Sequence, residues 1–398
     1  MDEAAERWDV FCRVVDNYGD VGVSLRLARQ LAREHGKRVR LWLDDFTVLG
    51  KLRPEVDPAY DSAKVDGVDV QRMREPFDVD EVADVVVETF GCDPPAAYVL
   101  AMAECRVRPR WINLEYLSAE EWVEGSHGLP SPNPRLPLVK HYFFPGFTPR
   151  TGGLLREGDL LARRDAFQRD AAAQAAFWRA LVGRVPPDGA LKVSLFGYAG
   201  APFDSLVRAC EHHAGPVWIV APEGMAATVL RARIAAAPAS IRQNAQDGGK
   251  RRELGLFAVP FLPQDRYDEL LWASDVNFVR GEDSFVRAQW AGRPFVWNIY
   301  PTEDGAHWVK LSAFLARYTA TLDRTHAAAL TSLWEAWNRP AESQPGDKAA
   351  GQGMAAAWPA FIARRQTFET HALDWSGALA TRRDLVGELV DFADNVLK

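Results

Sequence analysis

Asp9–Gln30, DVFCRVVDNYGDVGVSLRLARQ, is the stretch on which the fold turns. Val10, Phe11, Val14 and Val15 make a short apolar, β-branched run of the kind that forms a buried strand. Asp16-Asn17-Tyr18-Gly19-Asp20 then supplies turn residues. Beyond it Val21, Leu25, Leu27, Ala28 and Leu31 recur at helical spacing, which predicts a helix entered near Val21. A strand, a tight turn and a helix put the turn at the carboxyl end of the strand, the edge where open α/β sheets bind ligands. Two carboxylates, Asp16 and Asp20, occupy that turn, so one short loop can aim both at a ligand. Each also has a plainer reading: Asp20 as a helix cap, Asp16 as the closure of an Asx turn.

The same rhythm continues outward. Strands are expected at Arg38–Leu43, Val68–Gln71, Ala83–Glu88 and Trp111–Leu117, with a helix from Pro94 or Pro95 through Glu104. Alternating strands and helices mean a parallel sheet covered by helices. From Leu129 to Gly153 the pattern fails. That segment is dense in Pro and Gly and carries Tyr142, Phe143, Phe144 and Phe147, so it reads as an ordered aromatic loop, a cleft wall or a partner surface. Asp165–Val182 reads as one helix, and Val185–Gly189 as a boundary. A second α/β series follows, with strands at Lys192–Phe196, Val217–Val220, Leu256–Leu262, Asp275–Arg280 and Phe295–Trp297. Helices are expected at Phe203–His213, Gly224–Ala236, Gln264–Ala273 and Glu282–Ala291. Residues 239–250 and Asn338–Gly353 read as loops, and Trp358–Lys398 as two helices that could return to the first domain.

The chain has 398 residues, room for about two domains on the usual ~150-residue scale. Its formal net charge of −7 disfavours a nucleic-acid partner. The 4 cysteines show no CxxC spacing and read as buried thiols of a reducing compartment. No run approaches the ~18 apolar residues of a membrane span, and the acidic N-terminus is no secretory signal. A cytoplasmic enzyme without a membrane association is the expectation. No zinc spacing, Walker loop or GxGxxG occurs, so no metal or cofactor is expected.

Residues 278–304, FVRGEDSFVRAQWAGRPFVWNIYPTED, form the second informative unit. A strand ends at Arg280-Gly281 and a helix starts within Glu282-Asp283-Ser284. A helix N-terminus presents unpaired N–H groups and partial positive charge, which suits a diphosphate. Gly281 lets backbone approach a ligand closely, and Ser284 can add a hydroxyl donor. Glu282 and Asp283 would repel phosphate and are better used on sugar hydroxyls. An ordinary helix start also fits, since Asp, Glu and Ser all favour the first turn. Two α/β domains with facing strand-end loops suggest a cleft enzyme of the two-Rossmann type that uses nucleotide-activated sugars.

DNYGDVGVSLRLARQLA at Asp16–Ala32, KHYFFPGF at Lys140–Phe147 and LPQDRYDELLWASDVNFVRGEDSFVRAQWAGRPFVWNIYP at Leu262–Pro301 closely resemble the bacterial protein-arginine rhamnosyltransferases that modify elongation factor P, the EarP family. The resemblance implies a GT-B fold of two Rossmann-like domains facing across a cleft. The acceptor domain would be residues 1–155 with helices of about 360–398 packed back on it, the nucleotide-sugar domain 185–357, and a connecting helix 156–184. It implies inverting, metal-independent transfer of L-rhamnose from dTDP-β-L-rhamnose to an arginine of elongation factor P, activating that factor for polyproline-stalled ribosomes. Carried over by position, Asp16 and Asp20 match the acceptor-side carboxylates and Asp20 the general base, within an acceptor loop of Asp16, Asn17, Tyr18, Gly19 and Asp20. Glu282, Asp283 and Ser284 match the donor-contacting run, with Glu282 also at the reaction centre and Arg280 and Gly281 leading into it. Phe196 and Phe261 match aromatic contacts to the nucleotide, and Tyr198, Gln264 and Tyr300 are added donor-side candidates. Ser24-Leu25 departs from the family's Cys-Trp, which should alter packing more than chemistry. Apart from the resemblance, another sugar-nucleotide transferase with a small-molecule or lipid acceptor stays open. So does a non-catalytic protein that grips elongation factor P or a nucleotide.

Overall fold

β1 (Arg7–Cys12) and β5 (Val85–Thr89) are buried on both faces, apart from the first residue of β1. Strands of that kind are covered by helices on either side. They lie side by side in parallel register, Trp8 opposite Val85 and Phe11 opposite Glu88. The structure, a computed structural model, describes residues 5–16, 18–236, 254–339 and 348–396. Around this pair come β2 (Arg38–Leu43), β3 (Ser62–Val65), β4 (Val68–Arg72), β6 (Arg110–Leu114), β7 (Pro130–Pro132) and β8 (Val139–Phe143). The 8-stranded sheet has the order β3-β4-β2-β1-β5-β6-β8-β7, with β3 and β7 antiparallel at its ends. The parallel strands between them follow the doubly wound 3-2-1-4-5-6 order. The order therefore reverses between β1 and β5, and a ligand site belongs at the carboxyl ends of those two strands.

The later series repeats the design. β9 (Leu191–Leu195), β10 (Val217–Pro222), β11 (Leu254–Val259), β12 (Val276–Arg280) and β13 (Phe295–Asn298) form a parallel sheet of order β11-β10-β9-β12-β13. Its reversal lies between β9 and β12. The chain divides into two compact units, Met1–Leu160 with Leu379–Lys398, and Leu161–Ala378. The fold is thus α/β with two Rossmann-like units, the GT-B class of architecture. Among the described residues no helix is long and apolar enough to cross a membrane.

Several expectations shift in detail. The first helix runs Tyr18–His35, so Tyr18, Gly19 and Asp20 belong to its first turn rather than to the loop before it. The Pro-rich segment Leu129–Gly153 is not wholly irregular: it contains β7 and β8. Proline is tolerated there because β7 is an edge strand. The single helix expected at Asp165–Val182 is two, Leu160–Arg169 and Ala171–Val182. Asp170 divides them by capping the second through the N–H groups of Ala172 and Ala173, 2.9 Å each. Phe177 and Trp178 then pack with Trp218, Val220 and Leu270 of the second unit. At the C-terminus the two helices expected within Trp358–Lys398 are Arg365–Ala380 and Leu385–Asp391, preceded by a helix Lys348–Ile362 that ends inside the span. Of the three, only Leu385–Asp391 joins the first unit. Gln30 Nε2 donates to Asp384 at 3.0 Å, and an Arg110 nitrogen donates to the Ala393 carbonyl at 3.0 Å. Residues 239–250 and 340–347 lie outside the described residues, and the end of the loop expected at Asn338–Gly353 is helical, since a helix starts at Lys348.

Candidate active site

In the first unit the loop after β1 is built around Asp20. Asp20 occupies the first turn of the helix and is 2% exposed. Its Oδ2 accepts the backbone N–H groups of Val15 and Asp16, both at 2.8 Å. This is a reach-back of the capping-box type, carried beyond the N-cap. The Gly19 N–H closes the turn onto the Asp16 carbonyl at 2.8 Å. A Cβ on Gly19 would stand 3.0 Å from Asp16 Oδ2, so a side chain there would press the Asp16 carboxylate slightly aside. Val14 is pinned from β2's end, its N–H donating to Asp44 Oδ1 at 3.0 Å. Tyr18 is half-buried, and Lys51 Nζ donates to its hydroxyl at 3.3 Å. Asn17 lies outside the described residues.

The plain and the functional readings of Asp20 thus divide between its oxygens. Oδ2 holds the loop; Oδ1 faces the Tyr116 hydroxyl at 3.5 Å, long for a hydrogen bond. Burial raises the Asp20 pKa above its ordinary value. The N–H groups of Asp16 and Val15 and the Tyr116 hydroxyl oppose that rise, and the Asp44 charge adds to it. A carboxylate made more basic and fixed at a strand end is suited to taking a proton.

Tyr116, Phe90 and Asp44 were not among the sequence candidates, although all lie at the same sheet edge. Phe90 follows β5 and stacks on Tyr116, which follows β6, with centroids 4.3 Å apart and planes 15° from parallel. The signal was faint: Phe90-Gly91 is an aromatic-glycine step directly after a clean buried strand. Ser24 is buried and within 3.1 Å of Thr89 Oγ1, which in turn donates to the Phe11 carbonyl at 3.0 Å. It knits the first helix to β5 and β1.

In the second unit the carboxyl ends of β9 and β12 meet at the reversal. Arg280, the last residue of β12, is held between two rings. Its guanidinium carbon lies 4.6 Å from the Phe196 centroid and 4.7 Å from that of Tyr198. Such contacts favour a planar cation. Tyr198 is set by its N–H to Asn298 Oδ1 at 2.7 Å, and Tyr300 meets its ring edge-on at 5.3 Å. Tyr267 backs Phe196 at 5.9 Å. Gly281 has φ +63, a left-handed conformation that favours glycine, and Trp297 Nε1 fixes its carbonyl at 2.8 Å.

The following helix, Asp283–Trp290, has Glu282 at its N-cap position, without a capping hydrogen bond from the side chain. Gln264, buried, reaches Asp283 Oδ2 at 3.5 Å. The Ser284 hydroxyl is directed differently from expectation. It donates to the Arg280 carbonyl and accepts the Arg280 N–H at 3.0 Å. Ser284 therefore locks the bend that places Arg280, and the donors left for a ligand are first-turn N–H groups, which lack intrahelical acceptors. Behind them a buried bidentate pair ties this helix to Gln264–Ala273: Arg287 to Asp268, 3.0 and 2.6 Å. Phe261 is half-buried in the connection from β11 to that helix. Among the described residues no three His, Cys, Asp or Glu side chains are grouped as a metal site.

Comparison with known proteins agrees with this geometry. A family model described as elongation-factor P (EF-P) rhamnosyltransferase EarP matches residues 8–394. A protein-arginine rhamnosyltransferase of Pseudomonas putida is 46% identical over 391 residues, covering 98% of this chain and 99% of the relative. One of Pseudomonas aeruginosa is 42% identical, covering 97% and 98%. A solved structure concerning EarP-mediated arginine glycosylation of translation elongation factor EF-P matches at TM-score 0.64 and 36% identity, covering 98% of this chain and 99% of that one. MurG of Acinetobacter baumannii, at TM-score 0.51 and 14% identity over 98% of this chain and 99% of its own, shares the fold alone. With a family model matched over residues 8–394 and a relative 46% identical over 98% of the chain, this chain belongs to the EarP family of protein-arginine rhamnosyltransferases.

Proposed function

We propose that this chain moves L-rhamnose from dTDP-β-L-rhamnose to an arginine of elongation factor P, with inversion, in the cytoplasm and without a metal. The observation that carries the reading is the pair of furnished reversal points. One is lined by Asp16 and by a buried, more basic Asp20. The other is lined by a ring-held Arg280 and a helix N-terminus.

A guanidinium has a pKa above ~12 and is a poor nucleophile while protonated. Asp16 and Asp20 Oδ1 can hold it through charge-assisted bonds and point one nitrogen at the sugar. As that nitrogen bonds to the anomeric carbon, the carbon–oxygen bond to the diphosphate breaks on the opposite face. The electron pair leaves with the β-phosphate oxygen, and Asp20 takes the proton that the nitrogen sheds. Transfer of the proton comes late, because bond formation makes the nitrogen acidic. Alignment of the two reactants can contribute ~7–11 kcal/mol. The charge growing on dTDP is met by Arg280 and the first-turn N–H groups, which need no reorganisation when the bond breaks. Phe196 and Tyr198 carry the nucleotide side, and Glu282 and Asp283 face sugar hydroxyls.

The test is direct: incubate the full chain with dTDP-β-L-rhamnose and elongation factor P, and weigh the acceptor intact. One deoxyhexose increment on an arginine is the expected result. An unmodified acceptor, with donor hydrolysed or untouched, would remove the reading.

A further inference from the structure

Among the described residues, Asp66 and Phe90 are the non-glycines with positive φ, +54 and +60. Asp66 is accounted for: with Gly67 it makes the tight turn between β3 and β4, and its carboxylate meets Arg29 at 2.7 Å and Arg53 at 2.6 Å. Phe90 has no such account. A bulky side chain is a poor choice for a left-handed position, and glycine would serve the turn at less strain. Yet the conformation is held from several sides. The Phe90 N–H donates to the Leu114 carbonyl at 2.7 Å, and the Gly91 N–H to Asn113 Oδ1 at 3.2 Å. Buried Asn113 is itself fixed, its Nδ2 donating to Glu115 at 2.7 Å. A strained residue that its surroundings over-determine, at the reversal point of a doubly wound sheet, calls for a reason in its side chain.

The reason lies in what the ring touches. Phe90 stacks on Tyr116, and Tyr116 presents its hydroxyl to Oδ1 of Asp20, the oxygen not engaged by the loop. Both rings are half-buried. We infer that Phe90 and Tyr116 are the positioning pair of the acceptor site: the two-ring stack packs against the guanidinium plane of the incoming arginine, and the Tyr116 hydroxyl aims Oδ1 of Asp20 at it. This rests on the arginine acceptor proposed above and adds its selectivity. A flat, delocalised, weakly hydrated cation suits a ring stack; a lysine ammonium is compact and strongly hydrated. The pair therefore favours arginine over lysine before any chemistry takes place.

Steady-state kinetics with elongation factor P as the varied substrate tests this. Phe90→Leu and Tyr116→Leu should raise the acceptor KM about 3- to 30-fold, the span of a partly desolvated cation–π contact. Donor affinity, read by calorimetry with dTDP, should not move. Phe90→Tyr should recover most of the lost affinity. Tyr116→Phe, which keeps the ring, should lower kcat with little change in acceptor KM. Should Phe90→Leu melt early, Phe90→Gly accepts the same backbone without strain and must show the same KM rise. A wild-type acceptor KM in Phe90→Gly or Phe90→Leu overturns the inference, as does a parallel loss of donor affinity. A wild-type enzyme that leaves the acceptor arginine unmodified would instead remove the arginine reading itself.

Discussion

Asp20 offers the sharpest separation of structure from chemistry, because the proposed mechanism gives its two oxygens different duties. In the Asp20→Ala variant the Val15 and Asp16 N–H groups, each bonded at 2.8 Å, lose their acceptor. Bonds to a charged group are worth about 1.5–3 kcal/mol apiece, and part of that is returned because a buried carboxylate is no longer desolvated. A net loss of roughly 2–3 kcal/mol should follow, or a fall of about 4–12 °C in the melting midpoint of a unit this size. The Asp20→Asn variant keeps a carbonyl oxygen for both N–H groups. The folded-state pKa of Asp20 is raised, so its ionised form works against folding. That penalty is absent below the unfolded value and complete above the folded one. Asp20→Asn should therefore match or exceed wild-type stability at neutral pH, and the advantage should vanish in acid. Its turnover should nonetheless fall about 10²- to 10⁴-fold, the usual contribution of a general base. Wild-type activity should fall away in acid with a midpoint above 3.8, the ordinary Asp value. Thermal melts across pH and mass-spectrometric transfer rates read both quantities. An Asp20→Asn variant that keeps a tenth of wild-type turnover would refute Asp20 as base.

On the donor side, Arg280→Ala should weaken dTDP binding at least ~10-fold in calorimetry, and Arg280→Lys only partly restore it, since an ammonium does not fill the slot between Phe196 and Tyr198. Ser284→Ala should weaken donor binding by a smaller factor through Arg280's placement; unchanged affinity would show that the Arg280 bend stands without the hydroxyl. Asp268→Ala strands the buried Arg287 and should cost about 3–5 kcal/mol in urea unfolding, whereas an equally stable variant would deny the pair its bracing role. Exhaustive chelation should leave transfer intact; EDTA-sensitive turnover restored by Mg²⁺ would overturn the metal-free mechanism.

What could be read from the chain followed local chemistry. The strand–turn–helix at Asp9–Gln30 and the Arg280–Ser284 junction carry strong periodicity and turn residues, and helix Gln264–Ala273 has the bounds its pattern predicts. What escaped reading depends on distant partners. β7 and β8 sit in a proline-rich segment whose strand character comes only from pairing at a sheet edge. The stacking of Phe90 on Tyr116 and the slot that Phe196 and Tyr198 make for Arg280 join residues at the ends of separate strands, which no local pattern encodes. Nor does a sequence reveal a positive φ at a phenylalanine. Ser284 was read as a donor to a ligand because a hydroxyl at a helix start commonly is one; its use on the Arg280 backbone appears only in three dimensions.

Asp20 stands near the reversal of one sheet and Arg280 at that of the other, and in the proposed mechanism the way each charge is held fits its step. A base for an arginine must be ionised yet more basic than a solvated carboxylate. Burial alone would give basicity but leave the group protonated and mobile; two backbone N–H bonds to one oxygen keep Asp20 fixed and temper the rise. A cation meeting a departing diphosphate has the reverse need: it must stay charged and wait in place. Rings on Arg280 help to supply that, because a π face attracts the guanidinium but does not neutralise it. Each device fixes a charge beforehand rather than recruiting it during the reaction, which is what electrostatic stabilisation of a transition state requires. A carboxylate introduced at Tyr198 would pair with Arg280 and, on this argument, should impair transfer more than loss of the ring does. Tyr198→Glu compared with Tyr198→Leu decides it: equal turnover in the two would mean that the ring serves only as packing.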